Sequence, residues 1–158
     1  MPALVIDVSE AAHHLPPRGA LLGLDLGSKT IGVATSDPAR RLATGVETIA
    51  RKTFQVDAKR LLALATERGC VGFVLGLPLN MDGSEGPRAQ SVRAFARNLA
   101  KLTELPIALW DERLSTAAVE RELIAADVSR RKRAAVIDQH AAAFILQGAL
   151  DRLARISE

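Results

Sequence analysis

Residues 20–37 read ALLGLDLGSKTIGVATSD, and their alternation decides the fold. In an extended chain Leu22, Leu24 and Leu26 share one face, while Gly23, Asp25 and Gly27 share the other. The turn Gly27-Ser28-Lys29 leads into a second apolar run, so the stretch is a β-hairpin with one carboxylate inside its first strand. Glycines on either side keep the face of Asp25 open to a ligand or to another backbone.

The chain of 158 residues fits one domain with a substantial core. Hydrophobic residues make up 48% and charged residues 25%, the balance of an ordered globular protein. The net charge is only +3, but the basic residues are mostly Arg and gather in groups, which favours a phosphate-bearing partner. No apolar run reaches the length of a membrane span. Residues 1–19 (MPALVIDVSEAAHHLPPRG) carry acids where a signal peptide carries basic and apolar regions. A cytoplasmic protein with no membrane association is expected. The single cysteine, Cys70, excludes an intrachain disulfide and reads as a small core or strand-edge residue.

Along the chain, residues 1–19 show no sustained period and end in Pro16-Pro17-Arg18-Gly19, which predicts a flexible extension packed loosely or not at all. A single domain is expected over 20–158. After the hairpin, Ala43 to Ile49 forms a third strand. Helical spacing runs from Phe54 to Arg68 and stops at Gly69. Val71 to Leu77, VGFVLGL, is apolar throughout, as a central parallel strand buried on both faces requires. Asn80 to Pro87 is a polar glycine-rich loop of the length of a functional flap. A second helix spans about Arg88 to Leu102, with Val92, Phe95, Ala96, Leu99 and Leu102 as its core stripe. Pro106 opens a fifth strand, PIALWDER, and a short helix is expected over Ser115 to Ala125. Three antiparallel strands followed by alternating units imply an α/β fold, a mixed sheet with helices on both faces.

The final helix carries the most discriminating feature. At about 100° per residue, its apolar arc holds Ile137, Ala141, Ala142, Ile145, Leu146, Ala149 and Leu153, and Asp138 falls near the middle. A carboxylate there costs several kcal/mol unless it is paired, protonated or bound to a cation. His140 falls on the opposite, solvent side. Three acids thus stand out: Asp25, Glu112 (or its neighbour Asp111) at the carboxyl end of the fifth strand, and Asp138. If they meet, their mutual repulsion calls for a divalent cation. Ligation by oxygen alone favours Mg²⁺ or Mn²⁺ over zinc.

The motifs GLDLGSKTIGVATSD, GLPLNMDGS, DERLSTAAVE and RKRAAVIDQHAAAFILQ, in this order, resemble the YqgF family, also called RuvX. This is a family of Holliday junction resolvases and nucleases processing precursor 16S rRNA. The resemblance covers roughly Ala20 to Leu153. It implies an RNase H-like fold, a five-stranded sheet in the order 3-2-1-4-5, and a metal-dependent acidic site at Asp25, Glu112 and Asp138 that hydrolyses phosphodiester bonds. In such a site two carboxylate-bound cations activate a water and clamp the scissile phosphate.

Candidate phosphate contacts are Lys29 in the hairpin, Arg88 beyond the flap and Arg113 beside Glu112. Arg93, Arg97 and Lys101 form a helical row at i, i+4 and i+8, and Arg130 and Arg131 open a basic cluster before the last helix. Precursor rRNA and branched DNA suit these features equally, because phosphate contacts carry no sequence information. Junction resolution would add a homodimer. Two other classes compete: a nucleic-acid-binding module without catalysis, and an actin-like nucleotide-binding fragment, whose first hairpin has a similar pattern but which needs a second domain.

Overall fold

The computed structural model describes residues 3–114 and 130–156, with the start of the last helix, before Gln139, described in backbone only. The elements are β1 (Val5–Asp7), α1 (Val8–Ala11), β2 (Ala20–Leu26), β3 (Thr30–Ser36), β4 (Ala43–Ala50), α2 (Phe54–Glu67), β5 (Cys70–Leu77), α3 (Pro87–Ala100), β6 (Ile107–Asp111), a 3₁₀ turn over Glu112–Leu114, and α4 (Arg130–Ile156). The helix expected over Ser115 to Ala125 lies outside the described residues.

The strands form one sheet in the order β1-β6-β5-β2-β3-β4. β3 is antiparallel to both β2 and β4, whereas β2–β5, β5–β6 and β6–β1 are parallel. Five of these strands take the expected 3-2-1-4-5 order. The sixth corrects the expectation: Val5–Asp7 pairs with Ile107–Leu109 at the far edge, and α1 behind it buries Val8 and Ala11. The N-terminal stretch therefore belongs to the sheet and its core, because a ladder with β6 satisfies backbone groups that local sequence leaves open.

β2 is buried along its whole length and so feeds two cores. Leu22 and Leu24 join Phe73, Leu75 and Ile107 beneath α2 and α3, together with Leu61, Phe95 and Leu99. Leu21 joins Val74, Ala108 and Trp110 beneath α4, together with Ala142, Ile145, Leu146 and Ala149. Each fully buried leucine contributes about 1.5–3 kcal/mol, so the paired leucines hold a helical layer on each face. The register of β2 against β5 shifts between Ala20 and Leu21, and there Ser36 Oγ accepts the Leu21 N–H at 2.9 Å. A buried hydroxyl thus compensates a ladder irregularity.

Thr53 caps α2 by accepting the Val56 N–H at 3.3 Å, and Gly69, at φ 62°, ends it. The second long helix stops at Ala100, short of the expected Leu102, which is 52% exposed. Cys70 opens β5 and is buried, and burial pushes its thiol pKa up. Among the described residues no helix is long and apolar enough to cross a membrane.

Glycine sets the distance between α4 and the sheet. A Cβ on Gly23 would stand 2.7 Å from Leu146 Cβ and 3.3 Å from the Ala142 carbonyl oxygen. Neither neighbour is the free end of a flexible chain, so Gly23→Ala forces the layers apart. Denaturant unfolding should show a loss of about 1–3 kcal/mol, as for other overpacked cores.

Candidate active site

Asp25 is the penultimate residue of β2 and is only 6% exposed. Strand parity puts it on the same face as Gly23, under α4. The β2–β5 register pairs Leu24 with Leu75, and its continuation by one residue sets Asp25 beside Gly76, about 4.8 Å away. In β6, Trp110 pairs with Gly76 and Asp111 with Leu77, so the 3₁₀ turn begins where the parallel strands end. Glu112 in that turn leans back over Gly76. Its Oε1 lies 2.5 Å from the point a Gly76 Cβ would occupy, and Ile145 Cδ1 of α4 lies 2.7 Å from it. Glu112 and Ile145 thus occupy the room left by the missing side chain of Gly76, beside the strand position of Asp25 at the carboxyl end of the sheet, where open α/β folds place their sites.

Asp111, the other acid at this position in the sequence, is engaged elsewhere. Its carboxylate pairs with Arg113 at 2.7 Å and accepts the Arg113 backbone N–H at 2.9 Å. The hydrogen bond from the Arg113 guanidinium holds its pKa below the usual carboxylate range. Arg113 also donates to the Met81 carbonyl at 3.2 Å, which ties the flap to the end of β6. The loop closes on itself as well: Asn80 N–H donates to the Ser84 carbonyl at 2.9 Å, Gly83 N–H to the Asn80 carbonyl at 2.8 Å, and Ser84 N–H to Asp82 at 2.9 Å. The flap lacks apolar anchors, and polar ones serve instead.

α4 passes over these strands in reverse. From Ala43 to Gly45 along β4, the neighbour on α4 moves back from Gln147 to Gln139, so the start of α4 points toward the carboxyl ends of β2 and β5. Along α4, Asp138 lies one turn before Ala142 and two before Ile145, both fully buried. Its side chain is outside the described set. Among the described residues no three metal-ligating side chains cluster. His140 is exposed.

The basic candidates separate. Lys29 and Arg88 line a groove of about 560 Å³ at the end of β2, together with Arg51, Ser91 and Phe95. Arg93 is paired with Glu85 at 2.6 Å. Arg97 and Lys101 are exposed on and just beyond α3, Arg113 is held as described, and Arg130 and Arg131 open α4, with side chains outside the described set. Arg51 was not marked by sequence reasoning. Its signal lay in the hairpin register: Thr30 pairs with Ala50, which carries residue 51 back to Lys29.

The family model described as RuvX, Holliday junction resolvase, matches residues 19–152. The chain belongs to the RuvX family. Relatives named "Putative pre-16S rRNA nuclease" include one from Rhodopseudomonas palustris (strain TIE-1), 80% identical over 99% of this chain and 98% of its own length. Another, from Bradyrhizobium diazoefficiens, is 76% identical over 99% of this chain and 97% of its own length. This RuvX-family protein is thus a nuclease, a hydrolase of phosphodiester bonds. Two solved structures share its RNase H-like fold. T. thermophilus RuvC in complex with a Holliday junction substrate has TM-score 0.54 and 10% identity over 86% of this chain and 96% of that one. The yeast mitochondrial Holliday junction resolvase Ydc2 has TM-score 0.54 and 13% identity over 95% and 85%.

The clamp in this RuvX-family chain has a pH signature. Asp111 has a depressed folded-state pKa, so its contribution is full above the ordinary carboxylate value and is lost as pH falls through the lower folded value. Amide exchange at residues 81–84, corrected for intrinsic rates, should therefore stay constant from neutral pH to pH 5 and accelerate only below the ordinary carboxylate range. In Arg113→Ala it should be fast throughout.

Proposed function

We propose that Asp25, Glu112 and Asp138 form the catalytic centre of a divalent-metal-dependent nuclease that matures the 5′ end of precursor 16S rRNA. The observation that carries this reading is that Glu112 leans over Gly76, the β5 residue that the register sets beside Asp25, at the carboxyl ends of parallel strands. The names of the relatives direct it to precursor rRNA.

The donor set fits a hard cation. Glu112 leans over Gly76, the β5 neighbour of Asp25, and every candidate ligand atom is oxygen, which suits Mg²⁺ or Mn²⁺. Asp25, Glu112 and Asp138 would hold the cation. Bound there, it supplies Lewis-acid activation of water and neutralises charge at the scissile phosphate. The chain's own residues then do the rest. Asp25, nearly excluded from solvent, keeps a fixed orientation at the end of β2. Glu112 approaches from the 3₁₀ turn, and Asp111 holds Arg113 beside it for a substrate phosphate. Asp111 serves position rather than ligation. The setting is cytoplasmic, where rRNA is made.

A second reading, resolution of branched DNA, is favoured by the family description and by the likeness to RuvC. It requires two centres acting together and therefore a homodimer. Incubating one preparation with a four-way DNA junction and with a 16S precursor 5′ end, each with Mg²⁺ and with Mn²⁺, separates the readings. Cleavage of the precursor is expected. Cleavage of the junction alone favours resolution, and failure on both reduces the protein to a binding module.

Two variant sets test the residues. Losing a second-shell group at a metal site costs about 10–100-fold, so Asp25→Asn and Glu112→Gln should each lower cleavage by at least about 100-fold, and Asp111→Asn by much less. Asp25→Asn should still bind polynucleotide. Added Mg²⁺ should raise the melting temperature of the parent more than that of Asp25→Asn, since a ligand stabilises in proportion to its affinity for the folded state. An equal response in both would make Asp25 a structural residue.

A further inference from the structure

The groove at the end of β2 is built unlike the acid site. It is lined by Gly27, Ser28, Lys29, Arg51, Arg88 and Ser91 among others, with no carboxylate in its wall. We propose that it is a second phosphate site, which takes a non-scissile phosphate of the substrate strand, with Arg51 at its centre. This rests on the nuclease reading above for the identity of the strand, though the site itself needs no catalysis.

Arg51 is placed by contacts of several kinds. Its NH1 donates to the Gly27 carbonyl at 2.6 Å, and its backbone N–H donates to the Lys29 carbonyl at 2.9 Å. Its guanidinium carbon stands 5.8 Å from the centre of the Phe95 ring, and Phe54 meets that ring edge-on at 5.2 Å. An arginine anchored by a carbonyl and backed by an aromatic ring is pre-organised. It loses little freedom when its planar fork takes a phosphate. Among the described residues no acid pairs with Lys29, Arg51 or Arg88, in contrast to Arg93, Arg60 and Arg113.

α3 adds to the same charge. It starts at Pro87 after Gly86, with no side-chain cap and no acidic residue in its first turn, and Pro87, Arg88 and Ser91 face the groove. The positive end of the helix dipole therefore reinforces the cations. Three cations and a helix start thus line one groove, and among the described residues its wall holds no carboxylate.

The location suits a neighbouring phosphate. Gly27 lies two residues, about 6.6 Å, beyond Asp25 along the strand direction. Asp25 faces α4, while the groove shares Leu26, Val92 and Phe95 with the core under α2 and α3. A strand cut over Gly76 would pass round the tip of the hairpin and place another phosphate between Lys29, Arg51 and Arg88. That phosphate is either an internal diester or a terminal monoester, which carries a charge of about −1.5 to −2 near neutral pH.

The test is equilibrium binding in EDTA, where nothing is cleaved. The probes are one 3′-labelled single-stranded RNA with a 5′-phosphate and the same RNA without it, titrated over a salt series, with inorganic phosphate as competitor. Arg51→Gln should weaken binding about tenfold, the worth of a charged hydrogen bond. It should also lower the slope of log affinity against log salt by about 0.7. Arg88→Gln leaves the Gly27 contact intact and should shift both quantities in the same direction, so it decides the matter if Arg51→Gln melts early. A loss confined to the 5′-phosphorylated RNA identifies a terminal monoester, and equal loss on both RNAs an internal diester. Unchanged affinity and slope in both variants, with normal melting, overturn the proposal. Cleavage by the parent with Mg²⁺ reports separately on the nuclease reading. If the parent fails to cleave but both variants lose affinity, the groove stands and the catalytic assignment falls. Normal cleavage with undiminished affinity in both variants has the reverse meaning.

Discussion

α4 can lie close on the sheet only because side chains are missing at the points of contact. A Cβ on Gly23 would strike Leu146, one on Gly45 would stand 3.0 Å from Gln139 Cβ, and one on Gly148 would meet the Trp110 indole at 2.9 Å. The approach removes water from the carboxyl end of β2 and leaves Asp25 almost fully covered. Burying a carboxylate costs several kcal/mol unless it is partnered. The same approach carries the start of α4, with position 138, toward Asp25. Glycine therefore determines both the thickness of the layer and the assembly of the proposed site.

Charge is divided between the two sides of the sheet. Asp25 and Glu112 lie on the α4 side, and the groove cations lie on the side of α2 and α3, where Asp57 is also buried. The Asp111–Arg113 pair stands at the boundary and holds the flap by its backbone. A surface ion pair of this kind contributes little to global stability, so its effect is local. It sets where residues 80–84 sit relative to the end of β6, next to Glu112.

Much of this was legible in the sequence, and the limits have physical causes. Alternation around Asp25, the unbroken run at Val71 to Leu77 and the stripe on the last helix prescribe faces, and faces prescribe strand order. β1 escaped because three residues carry no readable period. Their partner, Ile107 to Leu109, lies far along the chain, and Pro16-Pro17 made the neighbourhood look irregular. Parity sets Asp111 and Glu112 on opposite faces but does not say which face carries the site, and the strand itself ends at Asp111, where the chain turns into a 3₁₀ helix. Arg93 looked like part of a cationic row, but its partner Glu85 sits in the preceding loop, outside the helical wheel. Arg51 needed the register of two strands rather than the reading of one.

The sheet face above Asp25 is covered chiefly by the last helix, with α1 beside it. Ala141, Ala142, Ile145, Leu146, Ala149 and Leu153 supply the lid of that core, and Gln147 accepts the Ala43 N–H across 104 residues of sequence. These contacts cannot form while the C-terminal helix is still inside the ribosomal exit tunnel. A nascent chain can pair β2, β3 and β4, yet it must display a bare apolar face until this helix has emerged.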